Sequence, residues 1–588
     1  MTELAGENLE ERYYDWAVFR RIVQYLKPYQ TLALLSVLLL LGSSLCQLAG
    51  PYLAKLAIDD YIAVGNLEGI DQIAWIFLSV LVGGFIFQFT QTLLMQYIGQ
   101  NVMKDLRRET FAHIHRMSFN FFDKNPVGKM ITRTVNDVEV LNEMLTSGLI
   151  LIFSDLFTLV GIFAVLFFLN WKLAVVICVV FPFLAVATHF YRVRARDALR
   201  KNRSHVTRLN TFLQENLSGM KTVQLFNREK KQATDFESIN SAKLSEDLRA
   251  LHYNAVYVPS IDVFSALGIG LVIWYGGGEF VRDQIQLGVL VAFVQYLNKL
   301  FEPIRDLAEK FNIIQSAVAS SERIFELLDT PEEILDPSKT SSQKIERGKI
   351  EFRNVWFAYK DDDYVIKDVS FVVNEGESLA IIGATGSGKS TLINLLCKFY
   401  EPQKGEILLD DIPLFQLSKK DARDRISWVQ QDPFIFSSDI INNIRMGNDD
   451  IKKETIELAC QSLGTDRFIN KLPDKYQNPV MEKGSSLSMG EKQLLSLTRA
   501  LVFDPRILIL DEATSSVDTE TEVMIQNAIK KLVLGRTSII VAHRLSTIKH
   551  ADKIAVLKKG ELVEFGLQED LVKQKGVYYK LINFYNQA

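Results

Sequence analysis

Long hydrophobic segments recur through the first 315 residues of the chain, separated by polar connections. They lie at about 30–55, 73–98, 146–169, 171–191, 254–277 and 286–308. A helix needs roughly 20 predominantly apolar residues to cross a bilayer, and each segment comes near or above that length. One such segment is also compatible with a buried core helix, but six in succession favour membrane spans. The pattern therefore predicts an α-helical domain with six transmembrane helices, over residues 30–325.

The charges of the connections predict how these spans are oriented. The first connection, IDDYIAVGNLEGID, contains acids but no Lys or Arg. Basic connections stay in the cytoplasm, so the N-terminus, the two long connections and everything after the sixth span are predicted to be cytoplasmic. Runs such as VMKDLRRETFAHIHRM are typical of helices, which predicts two long helical hairpins there. The basic residues of the long connections include Lys104, Arg107, Arg108, Arg116, Lys124, Lys129, Arg133, Arg192, Arg194, Arg196, Arg200, Lys201 and Arg203.

Two further features of this half each have two interpretations. The stretch from Trp16 to Tyr29 is amphipathic, so residues 1–29 are interpreted as a cytoplasmic N-terminus with an elbow helix lying in the membrane interface, or else as an ordinary helix start. Asp155 and Asp262 fall within predicted spans, where a carboxylate is costly. They are expected either to contact a transported substrate or proton, or to bond between helices, and the second role is favoured.

The second half has a different pattern. Residues 326–348 contain Pro331, Pro337 and a run of Ser, Lys and Thr, which is typical of a linker. From 349 to 588, short β-rich runs such as RILILDE and TSIIVAH alternate with helical ones. This alternation predicts an α/β domain with mostly parallel strands.

Composition excludes other classes of protein. The formal net charge of −4 argues against a nucleic-acid binder, so no nucleic-acid partner is expected. The four cysteines, Cys46, Cys178, Cys397 and Cys460, are far apart. They form neither a disulfide framework nor an ordinary zinc site, and they suit a reducing cytoplasm.

A glycine-rich loop, GATGSGKS, lies between the predicted strand SLAIIG and the apolar helix TLINLLCKFY. The glycines let backbone N–H groups close on phosphate oxygens, and the helix start adds a favourable dipole. Lys389 is expected to reach the β- and γ-phosphates, and Ser390 to bind Mg²⁺. The predicted nucleotide contacts of this P-loop are Gly383, Ala384, Thr385, Gly386, Ser387, Gly388, Lys389, Ser390 and Thr391.

Other candidate residues follow predicted strands. Asp511 and Glu512 end the strand ILIL, at the edge where open α/β sheets bind ligands. Asp511 suits the metal, and Glu512 suits polarising the attacking water. Tyr359 is a candidate to stack on adenine, although an aromatic residue in a strand is more often core. His543 is a candidate contact of the γ-phosphate, although a histidine at a strand end is more often structural.

With these motifs together, residues 349–588 resemble the nucleotide-binding domain of an ATP-binding cassette (ABC) transporter. The whole chain resembles an exporter half-transporter, through MSFNFFDKNPVGKMITRTVNDVE and VQLFNREKK in the membrane half. Gln431 matches the family's glutamine loop, which senses Mg²⁺, and Ser516-Val517-Asp518 matches the loop that crosses the dimer interface. Leu487-Ser488-Met489-Gly490-Glu491 matches the signature motif, whose consensus is LSGGQ.

The resemblance implies ATP and Mg²⁺ as ligands and a dimer as the functional unit. Each ATP then lies between the P-loop of one chain and Ser488 and Gly490 of the other. Gln431, Glu512 and His543 are the implied catalytic residues, and Asp518 contacts nucleotide across the dimer. The implied metal ligands are Ser390, Gln431 and Asp511. Closure of the cassettes on ATP and reopening after hydrolysis would alternate an inward-facing and an outward-facing cavity.

The signature departs from consensus at two positions, Met489 and Glu491. Either the change is neutral, or this signature completes the weakened site of a different partner chain. Because its own P-loop and Glu512 are intact, the chain resembles the catalytically competent half of a heterodimeric exporter. A heterodimer is slightly favoured over a homodimer.

The exporter resemblance implies ATP-driven efflux of hydrophobic or amphipathic compounds across the membrane, of the multidrug type, with a lipid flippase or a peptide exporter as alternatives. Membrane lipid and a hydrophobic small molecule are the other implied partners. An intact Glu512 disfavours a channel or regulatory subunit, and the fusion of spans to cassette disfavours an importer. A bacterial inner membrane is the expected location. Aromatic candidates for a cavity lining support a hydrophobic cargo; they are Phe85, Phe87, Phe264, Trp274 and Phe293.

Overall fold

The computed structural model describes residues 16–332, 345–360, 362–511, 519–541 and 551–580, together with positions 336 and 582. The chain divides into two compact units. The membrane unit comprises residues up to His115 and Val127–Thr330. The nucleotide unit comprises Arg116–Pro126 and the chain from Pro331 onward. Glu512, Ser516, Val517, Asp518 and His543 lie outside the described residues.

The described part of the membrane unit is helical. Short π-helical turns at Ala57–Ile62, Arg133–Asp137, Met144–Leu149 and Val272–Gly276 join or end several helices. The helices, including α4, which belongs to the nucleotide unit, are α1 (Trp16–Tyr25), α2 (Gln30–Leu56), α3 (Leu67–Arg116), α4 (Phe119–Lys124), α5 (Val127–Thr132), α6 (Val138–Glu143), α7 (Ile150–Leu169), α8 (Trp171–Cys178), α9 (Val180–Ser218), α10 (Met220–Leu225), α11 (Glu229–Leu271), α12 (Gly277–Val281) and α13 (Leu287–Asp329).

Five stretches of the described chain are long and apolar enough to cross a membrane, which confirms a helical transmembrane region. The sixth predicted segment lies on α13. Helix α3 has 50 residues and is therefore about 75 Å long, more than twice the hydrocarbon thickness of a bilayer. The long polar connections are thus continuations of the helices. The five stretches are Lys27–Ile62, Leu67–Arg116, Val127–Leu169, Trp171–Ala195 and Glu229–Val281.

The membrane unit has two apolar cores. One joins α7, α8, α9 and α11 to the first half of α13, and the other joins α1, α3 and α6 to its second half. Phe293 is fully buried in the first core, which corrects its expected place in a cavity lining. Phe85 and Trp274 are instead 66% and 76% exposed. A largely exposed apolar surface is what helices facing lipid require.

Asp155 forms an ion pair between two helices of this unit. Its Oδ2 atom accepts a hydrogen bond of 2.5 Å from the Nζ atom of Lys310 on α13. Lys310 is 9% exposed, so the pair joins α7 to α13 with little access to solvent. The contact supports the interhelical interpretation of Asp155. Asp262 lies on α11 with an exposed side chain.

The described part of the nucleotide unit contains ten strands in two sheets. The four-stranded antiparallel sheet has the order β2-β1-β4-β5, and the six-stranded sheet has the order β10-β9-β3-β8-β7-β6. All neighbours in the larger sheet are parallel except β9 and β10. The strands are β1 (Ile350–Ala358), β2 (Tyr364–Val373), β3 (Ser378–Ile382), β4 (Lys404–Leu409), β5 (Ile412–Pro413), β6 (Ile426–Val429), β7 (Ile507–Asp511), β8 (Thr537–Val541), β9 (Lys553–Lys558) and β10 (Glu561–Gly566).

The larger sheet lies between two apolar cores because its central strands are apolar on both faces, as parallel strands covered on both sides must be. Along β3, Leu379 and Ile381 enter one core, whereas Ala380 and Ile382 enter the other. The smaller sheet and the P-loop helix cover the first face, and most other helices cover the second. The helices are α14 (Lys389–Leu396), α15 (Lys419–Arg423), α16 (Ile440–Arg445), α17 (Lys453–Leu463), α18 (Asp466–Ile469), α19 (Met489–Val502), α20 (Thr519–Val533) and α21 (Gln568–Gln574).

Candidate nucleotide-binding site

The P-loop, Gln431 and Asp511 follow or end strands of the six-stranded sheet at a common edge. Strands β3, β6, β7 and β8 are parallel, so their C-terminal ends share that edge. Asp511 is in register with Val541, which is in register with Ile381, two residues before the P-loop. Two strand spacings of about 4.8 Å therefore separate β3 from β7 at this level. The topology brings the P-loop, Gln431 and Asp511 to a common edge.

The P-loop has a conformation that suits phosphate. Gly386 and Gly388 have φ values of +80° and +105°, which side chains other than glycine rarely adopt. A Cβ atom on Gly388 would lie 2.6 Å from Cδ1 of Ile366, so the position has no room for a side chain. Ala384, Thr385 and Gly386 are exposed at the tip of the loop. Glycine is therefore required here for both backbone conformation and packing.

Two polar side chains of this loop fit an anion. The Ser387 hydroxyl is buried and has no hydrogen-bond partner within the part of the chain that the structure describes. The Nζ atom of Lys389 donates to the carbonyl oxygens of Gly383 and Ala384, at 2.7 and 3.2 Å. The ammonium is thus already held over the loop. Ser390, the next residue of α14, is exposed. A charged donor and an unpaired buried hydroxyl beside open backbone are what a phosphate group needs.

Tyr359 lies directly after β1 and next to the P-loop helix. Its hydroxyl donates to Oγ1 of Thr391 at 3.2 Å, and the residue is 38% exposed. The ring packs edge-on against Phe357 and Tyr400, with centroids 4.9 and 5.2 Å away. The Tyr359 ring is therefore anchored beside the phosphate loop and retains exposed surface, which agrees with a place beside an adenine.

Gln431 and Asp511 follow or end strands at the same edge. Gln431 is exposed two residues beyond β6, and its carbonyl oxygen lies 3.5 Å from Nε2 of Gln493. Gln493 is fully buried in α19, so the glutamine loop contacts the helix that begins at the signature motif. Asp511 is half-buried at the end of β7. Gln493 was not among the predicted site residues, since nothing local in the sequence links it to Gln431.

The signature motif forms the start of α19. Ser488 is its N-cap and is exposed, Met489 is half-buried, and Gly490 is buried. The Oγ atom of Ser488 accepts a hydrogen bond from the backbone N–H of Glu491, at 3.3 Å. The Glu491 carboxylate accepts hydrogen bonds from the backbone N–H and the hydroxyl of Ser488, at 2.8 and 2.9 Å. This reciprocal arrangement is a capping box, which Glu and Gln both complete. One of the two departures from consensus thus has a structural role in the helix start.

Comparisons with known proteins agree with this geometry. The profile of the ABC transporter transmembrane region matches residues 33–304, and the ABC transporter profile matches residues 366–515. A Bacillus subtilis (strain 168) protein described as "Probable multidrug resistance ABC transporter ATP-binding/permease protein" is 37% identical over 521 residues, 88% of this chain and 77% of that protein. An ATP-dependent lipid A-core flippase of Syntrophus aciditrophicus (strain SB) is 33% identical over 569 residues, 96% of this chain and 94% of the flippase.

The structural comparison gives the same result over the whole chain. A bacterial Atm1-family ABC exporter with ATP bound superposes with a TM-score of 0.77 and 27% identity, over 98% of this chain and 99% of that chain. This chain is an ABC exporter half-transporter. The exporter binds ATP and couples its hydrolysis to transport, and it is a multi-pass membrane protein. Exporters of this type function as dimers.

The capping box of the exporter gives a direct prediction for Glu491. Glu491→Gln keeps a side chain that completes the box, so the thermal unfolding of the nucleotide unit should change little. Glu491→Ala should lower the free energy of unfolding by about 1 kcal/mol, because the N-cap N–H loses its acceptor. Equal losses for Gln and Ala would contradict the cap. Glu457→Ala is the control, since its ion pair with Lys453 is largely exposed.

Proposed function

We propose that the exporter moves hydrophobic or amphipathic compounds across a bacterial inner membrane, with its nucleotide unit in the cytoplasm. The relative described as a multidrug resistance transporter supports this cargo. So does the membrane unit, where large apolar side chains are exposed along the spans. The Asp155 carboxylate is neutralised by Lys310 rather than left to a charged cargo.

The conformation of the P-loop is the observation that supports the proposed ATP site. Lys389 and the backbone of Gly383–Ser390 hold the phosphates, and Tyr359 stacks on adenine. Ser390, Gln431 and Asp511 would supply the oxygen ligands that Mg²⁺ prefers, and the ion would provide positive charge beside the phosphates. Glu512 orients and polarises the attacking water, and His543 contacts the γ-phosphate.

The proposed mechanism needs a second half-transporter. Ser488 and Gly490 face the γ-phosphate of the partner's nucleotide at the start of α19, where the helix dipole favours an anion. Asp518 contacts nucleotide across the dimer. A heterodimer remains slightly favoured because Met489 adds a side chain where the consensus has glycine. The second departure from consensus, Glu491, does not support a heterodimer, because its carboxylate preserves the start of the helix.

The test is ATPase activity of the chain purified alone in lipid nanodiscs, beside Glu512→Gln. We expect Glu512→Gln to reduce turnover by about 10²–10⁴-fold, the range for loss of a general base. Glu520→Gln, an exposed acid on α20, is the matched control and should retain turnover. Turnover that survives Glu512→Gln would overturn the catalytic assignment.

The same assay separates the two dimers. Robust turnover by the single chain supports a homodimer. Well-folded chain without turnover supports a heterodimer, and the partner should then co-purify from the native host.

A lipid flippase is the second candidate, supported by the lipid A-core flippase among the relatives. Proteoliposomes that contain both a fluorescent hydrophobic dye and a labelled lipid distinguish the two cargoes. ATP-dependent movement of the dye without the lipid supports the multidrug type, and movement of the lipid alone supports the flippase.

A further inference from the structure

One short piece of the membrane half of the sequence belongs to the nucleotide unit. This segment, Arg116–Pro126, is called the hairpin tip; it contains α4, and the chain on both sides of it belongs to the membrane unit. The Oδ2 atom of Asp123 accepts a hydrogen bond from the hydroxyl of Tyr400. The Phe119 ring packs against Phe399 and Tyr400, with centroids 5.1 and 6.3 Å away. Phe119 and Asp123 thus connect the hairpin tip to Phe399 and Tyr400.

Phe399 and Tyr400 are carried by a braced turn at the C-terminal end of α14, the helix that begins at the P-loop. Arg423 donates hydrogen bonds to the carbonyl oxygens of Cys397 and Lys398, at 3.1 and 2.9 Å. Its guanidinium lies 4.8 Å from the Phe399 ring centroid. Burial raises the pKa of the Cys397 thiol to about 12, so the thiol itself stays neutral at pH 7. The Arg423 contacts tie the turn to α15, which ends at Arg423.

Tyr400 also packs against the proposed adenine contact, Tyr359. Its ring lies 5.2 Å from the Tyr359 ring at 88° and 5.4 Å from the Phe357 ring at 60°. Tyr400 is 7% exposed, and its hydroxyl also makes the hydrogen bond to Asp123. The interaction energy of an edge-on aromatic pair depends on the angle between its rings. Restraint of one ring therefore restrains the orientation of its neighbour. A single buried side chain thus touches both Tyr359 and the hairpin tip.

We infer that Tyr400 is a positioning residue that makes the hairpin tip respond to the adenine base of the bound nucleotide rather than to its phosphates. The inference rests on the proposed role of Tyr359. An adenine stacked on Tyr359 restrains that ring, Tyr400 is restrained through the edge-on contact, and the Tyr400 hydroxyl holds the Asp123 carboxylate. Hydrogen bonds to a carboxylate are about twice as strong as neutral ones, so loss of this hydroxyl should weaken the link specifically.

The test is hydrogen exchange of the full chain in lipid nanodiscs with three additions: none, a non-hydrolysable ATP analogue with Mg²⁺, and inorganic tripolyphosphate with Mg²⁺. The analogue should slow exchange both in the P-loop and at Phe119–Lys124, the latter by about two- to tenfold. Tripolyphosphate should protect the P-loop alone. Tyr400→Phe keeps the ring but lacks the hydroxyl, so the analogue should still protect its P-loop while the response at Phe119–Lys124 is lost.

Asp123→Asn should behave like Tyr400→Phe, and the double variant should be no worse than either. Tyr364→Phe, an aromatic residue of β2 packed on Trp356, is the matched control and should respond as the wild type does. Protection of the hairpin tip by tripolyphosphate, or a full response in Tyr400→Phe, would overturn the inference while the ATP site stands. Absence of P-loop protection by the analogue in the wild type would overturn the proposed function and the inference together.

Discussion

Lys389→Met is expected to reduce ATP hydrolysis by about 10²–10³-fold, as loss of one preorganised donor does in other enzymes. Methionine matches lysine in length but lacks the charge. The Lys389 ammonium donates to the carbonyl oxygens of Gly383 and Ala384 and is only 7% exposed, so it is preorganised over the loop. Its loss removes the positive charge proposed to face the phosphates and leaves both carbonyl groups without this donor. Turnover in nanodiscs and binding of a fluorescent ATP analogue measure the two effects.

Lys398→Met is the matched control. Lys398 is also buried, and its Nζ atom donates to the carbonyl oxygen of Leu417 at 2.6 Å. Burial lowers the pKa of its ammonium. The substitution should lower the unfolding temperature, because a buried carbonyl loses its donor, but the ATP analogue should bind as it does to the wild type. Equal loss of nucleotide binding in both variants would mean that Lys389 acts through folding rather than through phosphate.

Arg323→Met is expected to destabilise the end of α13 by about 3–5 kcal/mol, because it leaves a buried carboxylate without its cation. Arg323 donates to Asp137 through Nε and Nη2, at 3.1 and 2.5 Å. The Asp137 side chain is 5% exposed, and the Ser320 hydroxyl also donates to it, at 3.0 Å. Hydrogen exchange of the α6 amides, which follow Asp137, measures the local loss.

Substitution of Arg323 and substitution of Asp137 should lower the stability by different amounts. The Arg323 side chain is 46% exposed and stays hydrated when Asp137 is changed, so Asp137→Asn should cost only about 1 kcal/mol. Arg323→Met combined with Asp137→Asn should recover most of the loss, since no buried charge remains. Equal costs for the two single variants would contradict this asymmetry. Arg107→Met, which removes an exposed pair with Glu139, is the control.

The capping box at the start of α19 could have been predicted from the local sequence. Ser488 and Glu491 have the S-x-x-E spacing that completes such a box, so the signal was present in the sequence. Comparison with the LSGGQ consensus shows Glu491 only as a departure and gives it no structural role. The structure shows that its carboxylate is bound to the N-cap residue of its own helix. The roles proposed for Ser488 and Gly490 toward a partner's ATP stay predictions.

The pairings at long range could not be predicted. Lys310 lies 155 residues from Asp155, and Tyr400 lies 277 residues from Asp123. The local sequence around Asp155 or Asp123 does not identify its partner, because the chain contains many lysines and tyrosines that could pair with each carboxylate. The end of α13 could not be predicted from the sequence either, because the helix contains Pro303 and continues to Asp329.

The sequence by itself determined the membrane spans, the P-loop and the sheet edge at which Asp511 ends its strand. Hydrophobic periodicity, glycine requirements and strand ends depend on neighbours within a few residues, so they can be read along the chain. Only the tertiary structure decided that Asp155 is neutralised by Lys310, that Phe293 is core, and that the hairpin tip meets Tyr400. Those contacts depend on how distant helices and strands pack, and packing selects one partner among many residues of equal local character.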